Sequence, residues 1–123
     1  MNLVDSSGWL EYLADGRNAE FFAAAVEDTE NLVVSTINIY EVFKRVLQQR
    51  GEDAALQAVA LMHQACVVDV TSPIAMGAVK LSAELKLPMA DSLILATART
   101  CGATLWTQDA DFAGIPDVRF TKK

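Results

Sequence analysis

Histidine and cysteine are scarce in this chain: one histidine, His63, and two cysteines, Cys66 and Cys101, among 123 residues. The cysteines lie far apart and match neither a CxxC pair nor a zinc-ligand spacing, which argues against a disulfide framework and against a Cys/His metal site. Long apolar runs are missing too, since none approaches the roughly 20 residues that a membrane-spanning helix needs. The opening MNLVDSSGWL has no basic segment ahead of an apolar one and no small-residue cleavage signal. Export is therefore not expected, and a cytoplasmic protein is the default. Basic residues are outnumbered, ten Lys and Arg against sixteen Asp and Glu, giving a net charge of −6. Proteins that capture nucleic acid by overall attraction are basic. A nucleic-acid partner would here need a local basic patch or a bound cation.

What is present is a globular composition, 52% hydrophobic and 21% charged, at a length that suits one domain spanning 1–123. Residues 2–4 read as a very short strand, followed by Asp5 and a helix that Ser6 or Ser7 can cap and that stops at Asp15-Gly16. AEFFAAAVED is a second amphipathic run. LVVS at 32–35 is a β-branched burst suited to a buried strand, and 36–50 carries Ile39, Val42, Phe43, Val46 and Leu47 at helical spacing up to Gly51. An alanine-rich helix over 52–65 leads to CVVDV, 66–70, the third strand. Ser72-Pro73 opens a helix that runs to about Lys86 and breaks at Pro88. LPMADSLILATA begins the next helix, closed by Gly102. ATLWT, 103–107, and VRF, 118–120, complete the strands. Short strands alternating with helices predict a three-layer α/β/α sandwich around a parallel sheet of four to five strands.

In such sheets chemistry sits beyond the carboxyl ends of the strands. Asp5 follows the first strand directly. Glu41 lies early in the helix leaving the second, and Asp109 and Asp111 follow the fourth. Asp91 precedes its strand, but a crossover helix runs antiparallel to the strands it joins, so the start of that helix shares the same edge. Each acid has an ordinary explanation. Asp5 and Asp91 suit helix starts, Glu41 is spaced to pair with Lys44 or Arg45, and Asp109-Ala110-Asp111 is a turn sequence. Jointly those explanations are poor. Two carboxylates about 5 Å apart repel by roughly 3 kcal/mol at an effective dielectric near 20. Several on one rim therefore call for a cation, and oxygen-only ligands suit Mg²⁺ or Mn²⁺. Such an ion activates water and neutralises phosphate oxygens, which makes a metal-dependent phosphodiesterase the leading reaction class.

Four ordered segments carry a resemblance: D-S-S-G-W-L at 5–10, N-I-Y-E-V around Glu41, A-D-S-L-I-L-A-T-A at 90–98 and T-Q-D-A-D-F at 107–112. Together they resemble the PIN-domain family, with the VapC-like toxins of toxin–antitoxin pairs as the best match, over nearly the whole chain. The resemblance implies a Mg²⁺- or Mn²⁺-dependent endoribonuclease with Asp5, Glu41, Asp91 and a fourth acid after the fourth strand as its catalytic set. Asp5 and Asp91 would be the principal metal ligands, and Asp109 is favoured over Asp111 as the fourth because it lies nearer the strand end. Thr107 and Ser6 or Ser7 would act as supporting hydrogen-bonding groups, with Asp111 beside them. It further implies a homodimer and a small VapB-like antitoxin whose arginine plugs the carboxylates.

Lys44, Arg45, Arg50 and Arg99 lie on helices whose starts face the rim and are the candidates for RNA phosphate contacts. Trp9 and Trp106 suit core packing, His63 a solvated helix end and Cys101 a small buried side chain. Two other functions compete. A Mg²⁺-dependent phosphatase or receiver would want D-x-D after the first strand, where this chain has D-S-S, or a phospho-accepting Asp after the third strand with a lysine after the fifth. Asp69, inside CVVDV, and Lys122 only half meet that pattern. The other rival is a catalytically silent PIN-like interaction module, whose mark would be loss of one or more acids.

Overall fold

Five apolar segments form the sheet: β1 (Asn2–Val4), β2 (Leu32–Ser35), β3 (Cys66–Val68), β4 (Thr104–Thr107) and β5 (Val118–Phe120), in a computed structural model describing residues 1–123. Between them run α1 (Ser6–Leu13), α2 (Ala19–Val26), α3 (Thr36–Arg50), α4 (Glu52–Met62), α5 (Ser72–Leu85) and α6 (Met89–Thr100). All pairings are parallel, in the order β3-β2-β1-β4-β5. The expected α/β/α sandwich with a central parallel sheet is what forms.

Alternation along the strands sorts the core into two halves. Val4, Val34 and Trp106 face one side, where they join Trp9, Phe22, Val42 and Met62 from α1 to α4. Leu3, Val33 and Leu105 face the other, against Ile94, Leu95 and Ala98 of α6. Helix α5 packs on α6 through Ile74, Ala78 and Ala96, with Val68 of β3 against the same cluster. Both tryptophans are thus core residues, as expected. Phe21 packs on the Trp106 ring, and Arg119 lies 4.2 Å from the ring's centroid.

Two glycines are demanded by geometry. A Cβ at Gly8 would come within 2.6 Å of both Val4 Cγ1 and Phe22 Cε1, so only glycine lets α1 cross the end of β1 this closely. Gly51, at φ 89°, makes the left-handed corner that ends α3 and starts α4. Several boundaries differ from the sequence reading. Asp5, not Ser6 or Ser7, caps α1, accepting from the Gly8 N–H. Asp5 is the extended residue immediately before the helix, at φ −71° and ψ 173°, whereas Ser6 and Ser7 already lie within α1. Thr71, not Ser72, caps α5. Strand β3 ends at Val68, so Asp69 stands exposed in the following loop, and α4 stops at Met62, short of residue 65. Cys101 is only partly buried and His63 is exposed.

Candidate active site

The register fixes the rim. Val4 lies abreast of Trp106, and the Asp5 N–H bonds the Trp106 carbonyl, so Asp5 and Thr107 leave adjacent strands side by side. Asp5 is only 3% exposed, yet its carboxylate is well supplied with donors. Oδ1 accepts from the Ser7 hydroxyl at 2.7 Å and the Gly8 N–H at 3.0 Å, and Oδ2 from the Thr107 hydroxyl at 2.8 Å. Burial raises the Asp5 pKa to about 6 and Asp109 adds to the rise, while the bonds from Ser7, Gly8 and Thr107 pull it back. Thr107 serves two acids at once, because its oxygen also accepts the Asp109 N–H at 2.9 Å.

Glu41 comes from the second turn of α3. Its Oε1 accepts a 2.6 Å bond from the Ser6 hydroxyl, across 35 residues of sequence. The anticipated serine support is therefore divided: Ser7 holds Asp5 and Ser6 holds Glu41. Lys44, a possible helix partner for Glu41, instead lies over the Tyr40 ring, 5.9 Å from its centroid.

Asp91 occupies the first turn of α6, whose cap position is Pro88 and whose N-terminus has no side-chain cap. The capping explanation for Asp91 thus lacks its hydrogen bond. Its carboxyl pKa is raised to about 7, first by burial and then by Asp109, Asp111, Asp5 and Glu41 in that order. Every charge contributing to that rise is negative. Carboxylate oxygens of Asp91, Asp109 and Asp111 come within 4.8 Å of one another. Asp109 caps the short helical turn 110–112 by accepting the Asp111 N–H, which brings the two acids together.

These side chains line a cleft of about 520 Å³ containing Asp5, Ser6, Ser7, Glu41, Asp91 and Asp109, with Lys44 and Arg45 on its wall. Of the residues singled out in the sequence, Arg99 is not brought here. It is exposed in the last turn of α6, eight positions beyond Asp91, or about 12 Å along the axis at 1.5 Å per residue. Arg50, at the end of α3, lines a neighbouring groove that shares Ser7, Leu10 and Arg45 with the cleft. Asp111 is exposed yet belongs to the closest trio of acids, whereas Asp5 stands outside that trio. Asn38 was not anticipated. It is wholly buried and bonds Ser6.

The PIN domain family profile matches residues 3–118. The chain belongs to the PIN-domain family. Its fold is similar to that of a toxin–antitoxin complex chain from Klebsiella pneumoniae, at 27% identity and TM-score 0.80, covering 96% of this chain and 95% of that one. It is also similar to VapC20 of Mycobacterium tuberculosis, a sarcin–ricin-loop-cleaving toxin, at 21% identity and TM-score 0.77, covering 97% and 99%. A third likeness is to the DNA-bound VapBC of Salmonella typhimurium, at 17% identity and TM-score 0.75, covering 99% and 98%. No curated protein matches the chain.

The acids of this PIN domain fit a hard divalent cation. All the charged donors are carboxylates, and four neighbouring acids oppose the ionisation of Asp91, the condition a cation would reverse. No helix is long and apolar enough to cross a membrane.

Proposed function

We propose that this PIN domain is a Mg²⁺- or Mn²⁺-dependent endoribonuclease, the toxin of a toxin–antitoxin pair, with residues 1–123 acting as one nuclease domain. The observation that carries the reading is the shared cleft of Asp5, Glu41, Asp91 and Asp109, drawn from four separate parts of the chain. Asp5, Asp91 and Asp109 would hold the metal, Glu41 would complete the acidic ring directly or through water, and Asp111 would support them. A divalent ion held there would lower the pKa of a water and offset the charge of the scissile phosphate.

The protein's own groups supply position. Ser7, Gly8 and Thr107 fix the Asp5 carboxylate, and Ser6 fixes that of Glu41, so neither must reorganise when RNA arrives. Glu41 would accept a proton from the attacking water. Lys44 and Arg45 on the cleft wall would contact backbone phosphates, offsetting the net charge of −6 close to the site.

The likeness to toxin–antitoxin proteins supports a small antitoxin as the natural partner, with an arginine suited to the acid cluster. Met76 and Val79, about 70% exposed on one side of α5, support a second copy of the chain as another partner. A cytoplasmic setting follows from an RNA substrate. Purified protein, free of antitoxin, should cut structured RNA in the presence of Mn²⁺ and stop when the ion is chelated. Failure to cut any RNA across a broad structured set would point instead to an interaction module that keeps its acids but not the reaction.

A further inference from the structure

We infer that Asn38 is a positioning residue for Glu41, acting through Ser6; the inference rests on the nuclease reading above. Asn38 is an uncharged amide with no exposed surface, set in the first turn of α3 between Ile37 and Ile39. A buried carboxamide needs partners for both ends. Its Oδ1 accepts the Ser35 N–H at 3.1 Å, closing a reciprocal cap in which the Ser35 hydroxyl accepts from the Ile37 N–H. That contact is structural. The other end is not needed by the helix: Nδ2 donates to the Ser6 hydroxyl oxygen at 3.1 Å, 32 residues away.

This donation settles which way the serine proton points. An amide nitrogen can only donate, so the Ser6 oxygen is the acceptor in that contact. Its own proton is then directed to Glu41 Oε1, and that bond is the short one, 2.6 Å. Asn38, Ser6 and Glu41 thus form a one-way chain from the cap of α3 to the cleft. Because Asn38 and Glu41 sit three residues apart on one helix, the chain leaves α3, passes through the first residue of α1 and returns. It ties the outgoing helices of β1 and β2 together at the rim. Oε1 of the Glu41 carboxylate is thereby engaged, leaving Oε2 to serve the cleft.

The test separates this role from helix capping. Ser6→Ala cuts the chain in its middle and leaves the Ser35–Asn38 cap intact; Asn38→Ala removes both. Two readouts are taken, Mn²⁺ binding to the metal-free protein by calorimetry and steady-state RNA cleavage, with circular dichroism checking folding. Removal of groups that orient metal-site carboxylates costs about 10- to 100-fold in affinity or rate. Each variant should lose about tenfold in kcat or in Mn²⁺ affinity with KM for RNA within twofold, and the double variant should lose no more than the worse single. Placed on Glu41→Gln, neither substitution should lower kcat further. If Ser6→Ala matches the native protein in both readouts, or if the losses multiply, Asn38 serves only the cap. Should the native protein cut no RNA, the nuclease reading fails, while the Mn²⁺ titrations still decide the chain.

Discussion

Asp5 and Asp91 face the same cleft but are treated oppositely by the fold. Asp5 is nearly inaccessible and receives three hydrogen bonds, one of them the cap of α1. Asp91 is half-buried at the start of a helix that has no side-chain cap. The better-hidden carboxyl has the lower pKa, about 6 against about 7, because its bonds recover part of what burial costs, whereas Asp91 has no such bonds and is raised further by four neighbouring acids. Asp5 has a place in the fold with or without an ion. Asp91 has no such support, and on the nuclease reading it is tolerated for the cation it would bind.

The sharpest way to break that contrast is Asp91→Asn. Cleavage should fall by at least about 100-fold, more than the loss of a merely orienting group. The metal-free protein should melt at the same temperature or higher, since a repelled carboxyl is removed and no hydrogen bond is lost. A lower melting temperature would mean that α6 depends on Asp91 and that the two acids are alike. Asp5→Ala is the complement. It removes the cap and strands the Ser7 and Thr107 hydroxyls, so denaturant unfolding should register a loss of about 1–3 kcal/mol alongside the loss of activity. Asp5→Asn should lose less stability, because a carboxamide oxygen still accepts from Gly8.

Much of this was legible in the residues. LVVS at 32–35, the helix 36–50 and VRF at 118–120 were bounded correctly, because β-branched bursts and a terminal glycine are strong local signals. The convergence of acids followed from the antiparallel run of α6, a property of topology rather than of side chains. Local hydrogen bonding was less readable. Asp5, Ser6 and Ser7 can all cap a helix, and only the approach of Thr107 and Glu41 decides their roles. Asn38 carried a faint signal, a poor helix former three residues after Ser35 in a capping arrangement. Its link to Ser6 could not be seen before the strands were laid side by side. The grouping of Asp111 with Asp91 and Asp109 likewise depends on the turn 110–112, which a D-A-D sequence alone does not specify.

A titration sharpens the contrast further. Both acids have folded pKa values above the ordinary 3.8, so between about pH 4 and 7 the folded protein keeps protons that the unfolded chain has released. Stability of the metal-free protein should therefore be fullest near pH 4, as far as these two groups govern it, and decline as pH rises through 6 and 7. Thermal melts from pH 4 to 8 would trace that fall. Asp91→Asn should remove its upper portion, and saturating Mn²⁺ should flatten it by favouring the ionised carboxylates. A native melting curve that rises steadily from pH 5 to 8 would show that the two acids are not held out of their ordinary range.

The smallest effect concerns the basic residues, where the cleft and the far end of α6 give opposite expectations. Arg45 lines the cleft wall, while Arg99 sits in the last turn of the helix that begins with Asp91. A phosphate contact contributes to binding through counterion release, so its loss weakens RNA uniformly and lowers the salt slope by about one. Arg45→Ala should raise KM severalfold at low salt and flatten the dependence of log KM on log salt. Arg99→Ala should leave both unchanged, because a guanidinium about 12 Å farther along the helix lies beyond the roughly 8–10 Å over which exposed charges act at physiological salt. Equal effects from the two would mean that RNA runs the length of α6 instead of lying across its start, and the cleft would then be only the point of cutting within a longer track.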